Sequence, residues 1–532
     1  MHQNHTATSE FRLLSRRTLI ECPNPSPFLQ IDVSPDSSLS DEEYLRVTVT
    51  GVLNPSGRDW VAMISPANSN VENCQLSGLL NAQTGDLSEL PLLCHYPVKA
   101  QYVSNDPNYL SCKNKQCQMR LTWVSGNGAP QQVQYGNGMS QTSVVSTFTQ
   151  ADMCTNSALP SPAADFGWHD PGFIHSAVMK GLQPSSTSST DMEVTSHDDF
   201  FCRFYSYILE NAELAPIYSS LREYHSNQFS SSFLYLHKRL NKIKRPNMPG
   251  SISVINAVTD QVNSVNVDSI FHIGDISYAT GFLVEWDFFL SLIKPVASKV
   301  SYMTAIGNHE RDYAGSGSVY VTPDSGGECG VAYDTYFQMP TPAMDKPWYS
   351  IEQASVHFTV ISTEHDWSVG SEQYNWMAAD MGSVNRSKTP WLIFMGHRPM
   401  YTSSNPVTSV DPLFVVAVEP LLLQYKVDLA LFGHVHNYER TCAVYQGQCL
   451  AVPTKDANGV DTYNNTNYSA PVQAIIGMAG FTLDNFTNTN SWSLVRISEF
   501  GYVRVNVTAT ELYWEFVDSI TRNVEDSFRI IK

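Results

Sequence analysis

Four short polar clusters carry residue types that bind metal ions. Gly274-Asp275-Ile276-Ser277-Tyr278 offers a carboxylate and a phenol, and Gly307-Asn308-His309-Glu310 an amide oxygen and an imidazole. Gly396-His397-Arg398 adds a second imidazole, and Gly433-His434-Val435-His436 adds two more. A phenolate is a hard anionic donor suited to Fe(III), whereas imidazole and carboxylate suit zinc, manganese or Fe(II). A carboxylate such as Asp275 can bridge two ions. His434 and His436 would share a face on an extended segment, and in a loop they could reach different ions. Any one cluster is more often turn chemistry or a polar cap. All four, in order, each closing an apolar run, are hard to produce by accident.

The runs they close are Ser269–Ile273, Val300–Ile306, Trp391–Met395 and Val427–Phe432; Val356–Ser362 and Val472–Ile476 are similar. Near-continuous apolar strands separated by helix-length segments predict an α/β domain whose sheets are covered on both faces. In such sheets sites form beyond the carboxyl ends of the strands, so distant clusters can converge. A glycine before each polar residue would let the backbone turn sharply off the strand. The last forty residues alternate apolar and polar positions, as antiparallel strands do. Upstream, residues 30–185 read as all-β, with short β-prone runs divided by Gly, Pro, Asn and Ser, the pattern of sandwich modules.

The order GD-x-x-Y, GNH-E, a lone His after an apolar strand, then GH-x-H resembles the purple acid phosphatase branch of the metallophosphoesterases. Gly433-His-Val-His-Asn-Tyr-Glu-Arg440 is a specific match, and Ser362–Trp367 and Asp324–Gly330 look like larger plant members. The resemblance is strong over 250–532 and looser upstream. It implies a fibronectin III-like β-sandwich followed by a two-sheet α/β sandwich metallophosphoesterase domain. The expected divisions are a β-rich extension over 1–90, the fibronectin-like module over 91–185, an irregular segment over 186–249 and the catalytic domain over 250–532. Asp275 would bridge Fe(III) and a divalent ion (Zn, Mn or Fe(II)). Tyr278 and His436 would bind the iron, with Asn308, His397 and His434 on the divalent ion. A metal-bound hydroxide would attack phosphate monoesters in line. His309 would contact substrate with Asn308 and protonate the leaving oxygen, which calls for acidic conditions. The plainer role for His309 is to orient a ligand.

Two departures matter. The family's first motif, G-D-x-G on the domain's first strand, is absent, and with it an Fe(III) ligand. Its expected place falls in 186–249, where a Ser/Thr tract runs into aromatic and basic text, including Lys238–Arg245. A shifted reading frame would account for this: codons for Thr190–Thr195, read one frame over, can encode Arg-Tyr-Gly-Ser-Asp. Some plant members also carry a histidine pair shortly after the equivalent of His397. Here Ser403-Ser404-Asn405-Pro406 stands instead. His365 is a candidate replacement, against the plainer reading of a capped loop histidine. The rival functions are a phosphodiesterase or nucleotide pyrophosphatase on the same site, and a weakened metal- or phosphate-binding pseudoenzyme.

Composition sets the outer bounds. A chain of 532 residues implies several domains. A formal charge of -19 argues against nucleic acid and anionic membranes as partners. Small phosphate esters are the expected partners, and homodimer formation is left open. No run approaches a membrane span. The ten cysteines include no CxxC pair, and Cys442 and Cys449 are close enough to close a small loop. With clustered N-x-S/T triplets near Asn464, Asn467 and Asn485, they favour the secretory route, extracellular or vacuolar, although no leader is visible in residues 1–30.

Overall fold

The computed structural model describes residues 118–135, 138–182, 250–264, 267–405 and 409–532. Elsewhere it gives only the backbone of the strands Arg12–Ser15, Gln30–Ser34, Arg46–Thr50, Asp59–Ala62, Ala100–Ser104 and Thr190–Glu193, and of Cys117. Most of the 186–249 segment, with its basic run and suspected frame change, therefore lies outside the described residues.

The upstream module is a two-sheet sandwich. Cys117–Ser125 and Phe173–Leu182 pair antiparallel, flanked by Ala100–Ser104 and Val144–Ser146. Gln132–Tyr135 lies between Met139–Thr142 and Thr190–Glu193 in the second sheet. Alternation fills its core, with Leu121, Trp123, Val133 and Ala177 buried. The Trp123 indole N–H donates to Gln131 Oε1 at 2.8 Å, and the ring stacks on His175.

In the downstream domain Ser269–Ile273 runs parallel to Ser301–Ala305 over five residue pairs. A second sheet holds Val356–Val360, Trp391–Gly396, Leu429–Phe432 and Val472–Ile476, all parallel, with antiparallel strands at its borders. Period-two alternation divides each strand between two cores. Ile393, Met395, Leu429 and Leu431 face the large core, which also takes Ile273 and Met303. Leu392, Phe394, Ala430 and Phe432 face the helices Glu372–Ser383 and Pro412–Gln424. Both faces are thus covered, as the apolar runs require. The alternating C-terminal residues form the antiparallel strands Gly501–Val507, Glu511–Asp518 and Val524–Ile531. Among the described residues no helix is long and apolar enough to cross a membrane.

Candidate metal centre

All four polar clusters sit where their strands end, and the structure brings six of the expected residues together. The glycines serve two different needs. Gly274 has φ +79°, and a Cβ there would come within 2.4 Å of His397 Nδ1. Gly307 has an extended backbone, and its need is space: a Cβ would lie 2.4 Å from Asp275 Oδ1. Sharp turning therefore explains the first glycine, and close approach the second. Three of the candidate ligands, Asp275 (φ 52°), Tyr278 (φ 51°) and His434 (φ 63°), themselves occupy the left-handed region. Strain of about 1–3 kcal/mol per residue is held at such positions only where the surroundings fix them.

One group of donors is compact. His397 Nε2 lies 3.1 Å from Asp275 Oδ2, 3.0 Å from Asn308 Oδ1 and 3.3 Å from His434 Nδ1. Asn308 Oδ1 is also 3.0 Å from His434 Nδ1. The ligating oxygens and nitrogens of Asp275, His397 and His434 all lie within 4.8 Å of one another. His397 Nδ1–H donates to the Ile273 carbonyl at 2.9 Å, which turns Nε2 toward the cluster. Asn308 Nδ2 donates to Asp324 Oδ2 at 2.9 Å, turning its oxygen inward.

The second group is smaller. Tyr278 Oη is 2.8 Å from His436 Nε2 and 3.2 Å from Asp275 Oδ2. His436 Nδ1 meets Thr482 Oγ1 at 3.0 Å, and its backbone N–H donates to Asp484 at 2.8 Å. Phe481 stacks face to face on Tyr278. His434 and His436 thus point at different groups, the outcome expected of a loop. Four donors fit one cation, and three, sharing Asp275, fit a second; no further carboxylate joins them among the described residues.

Alongside lies a trough of ≈ 480 Å³. Residues Ile270 through Tyr278 line it without a break, so it follows the edge of their strand rather than a face. Its far wall is the helix Ser251–Ser264, with Gly480, Phe481 and Tyr502. Among the described residues Ser269–Ile273 pairs only with Ser301–Ala305.

His309 stands at the rim. Its backbone N–H donates to Asp275 Oδ1 at 3.2 Å, its Nδ1 meets the Asp324 carbonyl at 3.2 Å, and its ring lies 4.5 Å from that of Tyr278. His365 does not join the cluster. Its Nδ1 is 2.8 Å from Ser362 Oγ and its Nε2 is 3.3 Å from Asp345, so both nitrogens are engaged elsewhere and the capped-histidine reading fits. Ser403 and Ser404 are buried, with backbone N–H groups held by Glu439 and Thr402.

Sequence reasoning missed the residues that hold the ligands. Glu310 accepts N–H bonds from Asp275 (2.9 Å), Ile276 (2.6 Å) and Gly307 (2.9 Å), tying two clusters together. Arg398 Nη1 donates to His434 Nε2 at 3.2 Å. Glu310 and Arg398 were visible beside named motif positions, but what they grip is distant in sequence.

The electrostatics favour a cation here. Burial alone would raise Asp275, yet His397 and His309 outweigh it and hold this carboxyl well below its usual range. Burial lowers His397, but Asp275 beside it wins and lifts it to about 9. Burial, His397 and Arg398 push His434 well down. Burial and Asp275 hold the Tyr278 phenol well above its ordinary value, so its deprotonation needs a strong positive charge at the oxygen.

Three family models match: the Fn3-like domain from purple acid phosphatase over 31–146, the calcineurin-like phosphoesterase over 236–438 and the iron/zinc purple acid phosphatase-like protein C over 470–527. The chain is 31% identical to "Probable inactive purple acid phosphatase 27" of Arabidopsis thaliana, over 94% of this chain and 89% of that one. It is 35% identical to a "Nucleotide pyrophosphatase/phosphodiesterase" of Hordeum vulgare, over 53% of this chain and 76% of that one. The purple acid phosphatase PPD1 from yellow lupin seeds superposes with a TM-score of 0.64 at 30% identity, covering 81% of this chain and 74% of the other. With the fold, the ordered clusters and the convergent donors all in agreement, this chain belongs to the purple acid phosphatase family.

Proposed function

We propose that this protein is a secreted, metal-dependent acid phosphatase acting on small phosphate monoesters. The observation that carries the reading is the meeting of Asp275, Asn308, His397 and His434 around one point, with Tyr278 and His436 sharing Asp275 on its other side. The first four would hold a divalent ion such as Zn, Mn or Fe(II), and Tyr278, His436 and Asp275 would hold Fe(III). When bound, such a pair lowers the pKa of water and offsets charge on the phosphoryl oxygens.

The chain's own groups do the rest. The Ile273 carbonyl accepts from His397 Nδ1–H and Thr482 meets His436 Nδ1, which holds both rings with Nε2 toward the site. The Asn308 amide is clamped by Asp324, which keeps its oxygen inward. His309 donates Nδ1–H to the Asp324 carbonyl, and its Nε2 delivers a proton to the departing oxygen, a task that requires the imidazolium and therefore acid. The pairs Cys154–Cys329 and Cys442–Cys449 support an oxidising, secretory destination.

A second reading, a weakened enzyme or phosphate-binding protein, is favoured by the three-donor second position and by relatives named inactive. Metal analysis of purified protein, combined with turnover of phenyl phosphate, diphenyl phosphate and a nucleotide at pH 5, decides between them. Two ions per chain with monoester turnover supports the acid phosphatase. A preference for the diester or the nucleotide supports the phosphodiesterase. One ion or none, without turnover, sinks both enzyme readings.

A further inference from the structure

We propose that Arg398 is the substrate-binding cation of this site, and that it selects dianionic phosphate monoesters over monoanionic diesters. The proposal deepens the phosphoesterase reading and rests on it.

Arg398 is held from several segments at once. Nε donates to both oxygens of Glu364, at 3.2 and 3.0 Å, and Nη2 donates to Asp312 at 2.8 Å. Tyr320 covers the guanidinium with its ring centroid 4.1 Å away. The backbone N–H of Arg398 donates to Thr363 Oγ1 at 3.0 Å. A planar, rigid fork so gripped loses little freedom when it binds an anion. Only the Nη1 arm is left to face the cluster, where it meets His434. Among the described residues it is the only Lys or Arg hydrogen-bonded to one of the six candidate ligands.

An ion held at His434 Nδ1 would leave an Nε2–H facing the fixed Nη1 arm in place of an acceptor, and that arm would then be free for another acceptor at the cluster. A phosphate oxygen on the His434 side is such an acceptor, and a guanidinium–phosphate bond is charge-assisted. A monoester presents a further ionised oxygen there. A diester presents at the same place an esterified oxygen with no charge and a bulky substituent. Ser403 and Ser404 are buried, with their hydroxyl oxygens accepting from Asn490 and Asn437, so they face those side chains and bring no charge to the site.

The test uses the full-length, metal-loaded protein and the variants Arg398→Gln and Arg398→Lys. Inorganic phosphate affinity is measured by calorimetry, metal content by elemental analysis, and kcat/KM with phenyl phosphate and diphenyl phosphate. Arg398→Gln should weaken phosphate by about 10–100-fold, the scale of one lost charge-assisted bond. It should lower the monoester kcat/KM similarly, shift the diester less than about threefold, and leave metal content unchanged. If Arg398→Gln does not fold, Arg398→Lys carries the test: the charge stays, the Nη1 arm goes, and phosphate affinity should drop several-fold. Unchanged phosphate affinity overturns the proposal. So does an equal fall for both esters with loss of metal, which makes Arg398 a prop for His434. Wild-type protein that binds phosphate but turns over neither ester removes the phosphoesterase reading, while an Arg398→Gln loss of phosphate would still support the anion contact.

Discussion

Glu310→Gln should loosen the metal centre without touching a ligand. Glu310 is only 1% exposed. Its Oε2 accepts from Asp275 and Gly307, each at 2.9 Å, and its Oε1 accepts from Ile276 at 2.6 Å. Glutamine has one acceptor oxygen. In its better orientation that oxygen keeps the Asp275 and Gly307 donors, and its NH2 group faces the Ile276 N–H. One buried donor is then orphaned, at a cost of about 1–3 kcal/mol. Asp275 sits next to that amide with φ 52°, a conformation it keeps only while its neighbours hold it. If the whole cost falls on the geometry of Asp275, metal affinity drops by about 5–150-fold. Burial and Asp275 push Glu310 up, against backbone N–H donors that favour its anion. Calorimetric titration of stripped protein with Zn(II), alongside a thermal melt of the stripped form, reads both parts. Wild-type affinity with a wild-type melting point would refute the idea that Glu310 holds the ligand backbone.

Other changes separate chemistry from scaffolding. His309→Asn should slow an alkyl phosphate by about 10²–10⁴-fold while barely affecting an activated aryl ester, since only the poor leaving group needs a proton; equal losses, tracked by stopped assays on both substrates, would mark His309 as an orienting residue. Asp334→Asn should stabilise the protein above pH 6. Burial and the neighbouring Asp345 raise the Asp334 carboxyl from 3.8 to about 6, so the fold favours its protonated form: that stability is complete below pH 3.8 and is lost as pH rises through 6. The gain from the variant therefore grows between those values and levels off at about 3 kcal/mol, visible in melts from pH 4 to 8. Cys154→Ser with Cys329→Ser opens a link spanning 175 residues, which holds the loop after Asp324 to the upstream module. About 5 kcal/mol is expected on chain-entropy grounds, measured by urea unfolding. Arg440→Ala should cost about 3–5 kcal/mol in the same assay, because it takes from Asp526 the two bonds of a cation 1% exposed, while Asp461 keeps Lys455.

What was legible in the sequence follows from the range of the forces involved. Leu392, Ile393, Phe394 and Met395 announce a strand buried on both faces because adjacent side chains enter different cores, and that information is local. The ligands were legible because each follows the end of an apolar strand, and the two sheets bring those strand ends together. Glu310 was quoted within its motif and still not assigned a task, because its partners are backbone amides, which carry no residue identity. His365 has the residue type of a substrate contact, yet its two nitrogens are spent on Ser362, three residues away, and on Asp345, which spacing does not reveal.

The two ion positions differ for a related reason. On the first side Asn308, His397 and His434 all follow strand ends downstream of residue 300, each with its own orienting bond, and only the shared Asp275 comes from the end of Ser269–Ile273. The Tyr278 and His436 side lies by the edge of Ser269–Ile273 that has no partner strand among the described residues, where the trough runs. Tyr278 is the donor with the most to gain from a cation, since burial and Asp275 both resist its ionisation. A three-donor position must overcome that resistance with one carboxylate fewer to hold the ion. The divalent position should therefore fill first as metal is added to stripped protein, with tyrosinate absorption appearing only after the first equivalent of iron or zinc is bound. Absorption that rises in step with the first equivalent would mean that the Tyr278 side is the stronger, and that the missing strand costs the centre little.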